Sequence, residues 1–169
     1  MTPDTSAAGQ ALDVDWAVAW IRAVAQDAER RKGEISLLDS YVGDGDLGEN
    51  LARGFAAARD AVGDAGAHPT VGAVLEVAGS ALVKAVGSAA GPLFAASFRA
   101  AGEACRRERL EADDVVSLLA AALGGVVARG GAAAGEKTMV DAWTPALMAA
   151  RSAAAGGAGP AAVLLAAAE

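Results

Sequence analysis

Apolar residues recur at three- and four-residue spacing along nearly the whole chain. They fall at Val14, Ala17, Val18, Ile21 and Ala25, at Leu51, Phe55, Ala58 and Val62, at Val71, Val74, Leu75, Ala78 and Leu82, and at Val115, Leu118, Leu119, Ala122 and Val126. This is the period of one face of an α-helix. The two-residue alternation of a half-buried strand appears nowhere. Short breaks such as Gly87-Ser88-Ala89-Ala90-Gly91-Pro92 and Gly156-Gly157-Ala158-Gly159-Pro160 separate the runs. Short connections make successive helices antiparallel neighbours. The chain is 54% hydrophobic, much of it Ala, and only 4% aromatic, so its helices can approach closely. The pattern predicts one all-α domain of seven helices in 169 residues.

The helix ends are read from caps and breakers. Helix one is expected from Asp13 to Lys32, with Asp13 or Asp15 capping it, Arg30, Arg31 and Lys32 complementing its dipole and Gly33 stopping it. Trp16 and Trp20, one turn apart, read as packing. Helix two ends near Ala65, Thr70 caps helix three, and Pro92 sits in the first turn of helix four. Arg106-Arg107-Glu108-Arg109 reads as a solvated linker, and helix five runs from near Asp113 to Gly130 and Gly131. Pro145 is expected to kink or restart helix six, and Ala161 begins helix seven. Residues 1–12 are expected to be a flexible N-terminus, and residues 13–169 the domain.

Several function classes are disfavoured. Net charge is −7 with no basic run, which argues against a nucleic-acid partner. No apolar stretch reaches membrane-spanning length and no signal peptide is visible. The single cysteine, Cys105, allows no internal disulfide, fits a reducing, cytoplasmic compartment and reads as a buried inert thiol. His68 is the only histidine and precedes Pro69 in a loop, which argues against a histidine-based zinc site and a histidine-containing triad within this chain.

The chemistry-bearing stretch is Leu38-Asp39-Ser40-Tyr41-Val42-Gly43-Asp44-Gly45-Asp46-Leu47-Gly48-Glu49-Asn50. Asp44 and Asp46 flank a glycine, and Asp39 lies close enough to fold back as a third ligand. An extended segment would put Asp44 and Asp46 on one side. The acids then sit on a turn feeding a helix N-terminus, which suits an anion. Carboxylates there can hold a hard cation, and the cation can hold phosphate oxygens. No Glu closes a twelve-residue loop, so this is not an EF-hand. The alternative is an acidic, solvent-facing turn and cap. Two further polar or small-residue loops, residues 87–92 and 135–141, also precede helices.

Together these loops resemble the L subunit of dihydroxyacetone kinase, the nucleotide-binding half of that enzyme. The carrying residues are Leu38-Asp39, Gly43-Asp44-Gly45-Asp46-x-Gly48-x-Asn50 and Arg53-Gly54-Phe55. They continue with Gly87, Ala89 and Gly91-Pro92-Leu93, then Gly135-x-Lys137-Thr138-Met139-Val140-Asp141 and Pro145-Ala146-Leu147. Order and spacing agree over about residues 13–169. A sister group that phosphorylates fatty acids lacks the Leu-Asp pair and the Gly-x-Lys-Thr-Met-x-Asp form.

The resemblance implies an antiparallel up-and-down barrel of the eight-helix type with nucleotide at its rim. It implies that Asp39, Asp44 and Asp46 hold two Mg²⁺ ions. Leu47, Gly48, Glu49 and Asn50 would line the phosphates of ADP or ATP, and Ala89 and Ala90 would contact them at helix four. Gly130 and Met139 would border the adenine, with Lys137 and Thr138 in support. The phosphoryl group would pass to dihydroxyacetone, or a related keto-sugar, held on a separate K subunit. A phosphocarrier protein of the sugar phosphotransferase system, or a transcription regulator, would be a further partner.

Three departures stand against the family pattern. Leu47 replaces a usual His or Thr and Ala90 a usual Ser, which removes two side-chain donors. The lid loop and its nucleotide-reaching arginine have no counterpart here, and the Asp-Pro-Gly before the last helix is either absent or, in a second alignment with the lid deleted, left as Gly159-Pro160-Ala161. The expectation is a domain without lid and final helix, whether partial or naturally short, and a wetter pocket.

Overall fold

The computed structural model describes residues 11–169, and every described element is helical. Seven α-helices follow one another: α1 Val14–Asp39, α2 Leu47–Val62, α3 Val71–Ala85, α4 Ala90–Ala104, α5 Ala112–Gly130, α6 Met139–Ala155 and α7 Pro160–Ala168. A 3-10 turn, Ala65–Ala67, lies between α2 and α3. No helix is long and apolar enough to cross a membrane among the described residues. Residues 1–10 lie outside the described residues; Leu12 is buried, and its carbonyl accepts the Leu110 amide at 2.8 Å.

Caps set several boundaries. Asp13 accepts from the Trp16 amide at the start of α1, Thr70 from the Ala73 amide at the start of α3, and Thr138 from the Val140 amide at the start of α6. Each satisfies a donor that the first helical turn leaves free.

Two expectations fail. Gly33 does not stop α1, which runs on to Asp39. Ser36 of the extra turns accepts the Gly48 amide of α2 at 3.2 Å, and a Cβ on Gly48 would lie 2.7 Å from Ser36 Oγ and 1.9 Å from the Lys32 carbonyl oxygen just before those turns. Lys32 bridges to Glu29 at 2.9 Å and to Glu49 of α2 at 3.5 Å, and Arg31 bridges to Glu34 at 2.9 Å. Tertiary packing outweighs the intrinsic cost of a mid-helix glycine. Nor does α6 restart at Pro145; it is continuous from Met139, and the capping box of Thr138 and Asp141 secures its start.

Sequential helices pack side by side, α1 on α2, α2 on α3, α3 on α4, α4 on α5 and α6 on α7, while α5 also touches α6 and α7. Ile21, Leu82, Val74, Val115 and Val163 are fully buried between them. Phe55, Phe94 and Phe98 meet edge-on or tilted, and Trp16, Trp20 and Phe98 form a stack. Between α1 and the α5–α7 group runs an apolar groove of about 620 Å³, lined by Leu12, Trp16, Trp20, Leu119, Trp143, Leu164 and Leu165, with alanines between them. It contains no ionisable side chain.

Candidate functional site

Asp39 is the last residue of α1, Asp44 lies in the turn, and Asp46 immediately precedes α2. The turn is not extended. Gly45 takes φ +78° and Asp46 a helical φ of −97°, so a glycine is required at the pivot. Asp39 Oδ2 accepts from the Gly45 amide at 3.0 Å and the Leu47 amide at 3.3 Å. The Gly48 amide donates to Ser36 Oγ at 3.2 Å. Thus two side chains of the α1 C-terminal turns cap the start of α2, a role that Asp46, making no side-chain cap bond, leaves open.

The turn brings three carboxylates together. One oxygen each from Asp39, Asp44 and Asp46 lies within 4.8 Å of the others. Asp44 and Asp46 are exposed and Asp39 half-buried. Hard oxygen donors at this separation suit Mg²⁺ or Ca²⁺.

The carboxylates open onto a cleft of about 500 Å³. Its walls are Asp39, Gly43, Asp44, Asp46 and Leu47 on one side and Gly87, Ser88, Ala89 and Ala90 on the other. The second wall leads into the N-terminus of α4, so two helix starts border one cleft. Two buried polar atoms at this end lack a protein partner: Ser88 Oγ and Asn50 Nδ2. Both can donate to an anion. Carboxylates for a cation beside orphaned donors for an anion make a donor set that fits a metal-bound phosphate.

Of the residues singled out from sequence, Asp39, Asp44, Asp46, Leu47, Ala89 and Ala90 line this cleft. Gly48, Glu49 and Asn50 occupy the first turn of α2; Gly48 and Asn50 are buried, and Glu49 is exposed. Gly130, Lys137, Thr138 and Met139 are not in its walls. Gly130 ends α5, where a Cβ would lie 3.0 Å from Leu93 of α4, so this loop borders the same end of the helix array. Lys137 is exposed with φ 59°, the left-handed region. Asp141 accepts from the Thr138 amide at 2.9 Å and also from Gly135, and the Gly135 bond above all holds its carboxyl below the usual range.

Sequence reasoning missed Ser36 and Ser88. Ser36 lies beyond the glycine expected to end α1, so its contact with Gly48 carried no local signal. Ser88 lies in a small-residue loop whose composition points to backbone amides, and only the fold shows its hydroxyl buried without a partner.

A family model described as the DAK2 domain matches residues 41–169. The ADP-binding subunit DhaL of PEP-dependent dihydroxyacetone kinase 1 from Listeria innocua serovar 6a is 35% identical over 137 residues, 81% of this chain and 69% of that protein. The corresponding DhaL subunit from Escherichia coli strain K12 is 32% identical over 135 residues, 79% of this chain and 64% of that protein. The L-erythrulose 1-kinase of Mycolicibacterium smegmatis is 35% identical over 150 residues, 85% of this chain but 26% of that protein. Among solved structures, the dihydroxyacetone kinase of C. freundii in complex with AMP-PNP and Mg²⁺ superimposes with a TM-score of 0.64 at 20% identity. That match covers 98% of this chain and 35% of the kinase, and it speaks for the fold. The helical architecture, the motif order and a family model covering well over half of the residues agree: this chain belongs to the DAK2 domain family.

Proposed function

We propose that this chain is the nucleotide-binding subunit of a dihydroxyacetone-type kinase, residues 13–169 forming one nucleotide-binding domain. The observation that carries the proposal is the convergence of Asp39, Asp44 and Asp46 within 4.8 Å at the edge of a cleft closed by residues 87–90. The three carboxylates would hold two Mg²⁺ ions, and Ser88 Oγ and Asn50 Nδ2, which have no protein partner, would donate to the phosphates of ADP or ATP beside the first turn of α2 at Leu47, Gly48 and Glu49. Gly130 and Met139 border the base, with Lys137 and Thr138 in support.

Bound Mg²⁺ supplies charge neutralisation to phosphate oxygens, the main need of phosphoryl transfer. The chain's own part is positioning. Asp39 fixes the turn through the Gly45 and Leu47 amides, so the carboxylates are held close before a ligand arrives. The site holds no histidine, since His68 sits in the α2–α3 connector with Nε2 2.6 Å from the Val62 carbonyl oxygen. The resemblance to the L subunit of dihydroxyacetone kinase assigns the acceptor, dihydroxyacetone or a related keto-sugar, to a separate K subunit. The relatives named PEP-dependent support a bound ADP recharged by a phosphocarrier protein over free exchange of ATP.

A second reading is favoured by Leu47 and Ala90, which line the cleft without a side-chain donor. On it, the domain binds nucleotide as a sensor and docks on a regulator. Calorimetric titration of Mg-ADP and Mg-ATP into the wild type and Asp44→Ala tests both readings. Binding by the wild type that the substitution abolishes is expected; no binding by the wild type sinks both. Phosphate transfer on adding a K subunit and dihydroxyacetone selects the kinase, and its absence selects the sensor.

A further inference from the structure

Arg53 belongs to no wall of the cleft, yet it bonds to a residue in sequence behind each wall, Asn50 on one side and Ala85 on the other. It is an exposed residue of α2, one turn beyond Asn50. Its Nε donates to the carbonyl oxygen of Ala85, the last residue of α3, at 2.9 Å. A terminal guanidinium nitrogen donates to Asn50 Oδ1. The chain from Ala85 leads directly through Val86 to Gly87-Ser88-Ala89-Ala90, the second wall. The neighbouring Gly54 packs against Val86 so tightly that a Cβ there would lie 2.2 Å from Val86 Cγ2. Arg53 therefore ties the helix that starts at the aspartates to the root of the opposite loop.

The same contact sets the direction of an amide. Asn50 is 5% exposed, and its carbonyl oxygen is taken by Arg53. Its Nδ2 is thereby committed as a donor, and that donor has no partner in the protein. A carboxamide is ambivalent toward an anion: the N–H side attracts it and the C=O side repels it. A guanidinium, which only donates, removes the ambiguity by claiming the carbonyl.

Resting on the nucleotide-binding reading, we propose that Arg53 is a positioning residue for the phosphate group. It acts through Asn50, whose carbonyl oxygen it claims so that the buried Nδ2 donor is left for the phosphate, and through Ala85, whose carbonyl fixes the second loop relative to the aspartates. The rigid fork of Arg serves both acceptors at once, which the single ammonium of Lys cannot do with the same geometry.

The test combines Arg53→Lys, Asn50→Ala and the double variant, with calorimetric titration of Mg²⁺ alone and of ADP at saturating Mg²⁺, and a thermal melt of each. The expected result for Arg53→Lys is ADP affinity lower by about tenfold or more, with Mg²⁺ affinity changed less than about twofold and the melt little changed. In the Asn50→Ala background the Arg53→Lys loss should shrink, because the residues act as a pair. Wild-type ADP affinity in Arg53→Lys overturns the proposal. So does an equal loss of Mg²⁺ and ADP binding, or a full additive loss in the double variant, since both mark a merely structural role. Should Arg53→Lys melt early, Asn50→Asp decides: it keeps the acceptor for Arg53 but deletes the donor, so retained ADP affinity overturns the proposal. Absence of any ADP binding by the wild type would instead defeat the nucleotide reading itself.

Discussion

Asp39 and Gly45, six residues apart, are joined by a 3.0 Å hydrogen bond from the glycine amide to the aspartate Oδ2, and this bond closes the acidic turn. Under the proposed metal site Asp39 has two duties, one oxygen receiving backbone amides and the charge serving a cation. Asp39→Asn separates them, since the carboxamide oxygen still accepts while the charge is gone. Mg²⁺ affinity should fall about tenfold or more with little change in stability. Asp39→Ala should additionally lose about 1–2 kcal/mol in urea unfolding, because two amides lose their acceptor. Equal stability of the two variants would show that the bond does not hold the turn.

Two glycines on facing helices should respond oppositely to the same substitution. A Cβ on Gly48 would meet the Lys32 carbonyl oxygen at 1.9 Å, so Gly48→Ala must push α1 and α2 apart. We expect a loss of about 1–3 kcal/mol or more. Gly33 lies inside α1 with nothing within 4 Å of its Cβ position. Gly33→Ala should gain about 0.5–1 kcal/mol. Urea midpoints of the two variants check both signs.

Asp141 links the stability of the α6 start to pH. Hydrogen bonds from Gly135 first, then Thr138, lower its folded pKa. A lowered carboxyl contributes stability above its unfolded pKa of about 4, and that contribution is lost as pH falls through the folded value. Asp141→Asn should therefore melt below the wild type at neutral pH. The gap should narrow as pH drops below about 4. A gap that does not change with pH would remove the charge from this account.

Cys105 is 3% exposed, and burial is the main cause pushing its thiol above the ordinary value. A thiol-reactive dye should label the native protein slower than the urea-unfolded chain by about two orders of magnitude or more. Labelling of the native state at the unfolded rate would place Cys105 at the surface.

The sequence made the helices legible because each carries its own apolar stripe and, at Asp13, Thr70 and Thr138, its own cap. The acidic trio was legible because three aspartates fall within eight residues before a helix. Their arrangement was not. An extended segment would set Asp44 and Asp46 on one side, whereas a left-handed Gly45 and a helical Asp46 bend the turn so that both exposed carboxylates stay beside Asp39. The length of α1 was hidden for a related reason. Gly33 is a stop signal only when nothing downstream holds the helix, and here Ser36 accepts the Gly48 amide across a sequence separation of 12, beyond the reach of any local cue. Arg53 appeared only as part of a motif, because its bond to Ala85 spans 32 residues.

The chain contains three tryptophans, and all three, Trp16, Trp20 and Trp143, border the same apolar groove. Its intrinsic fluorescence is therefore a spectroscopic probe of one place only. Water entering or leaving that groove should shift the emission colour, while a ligand at the distant aspartates should leave the spectrum still unless α1, α6 or α7 moves in response.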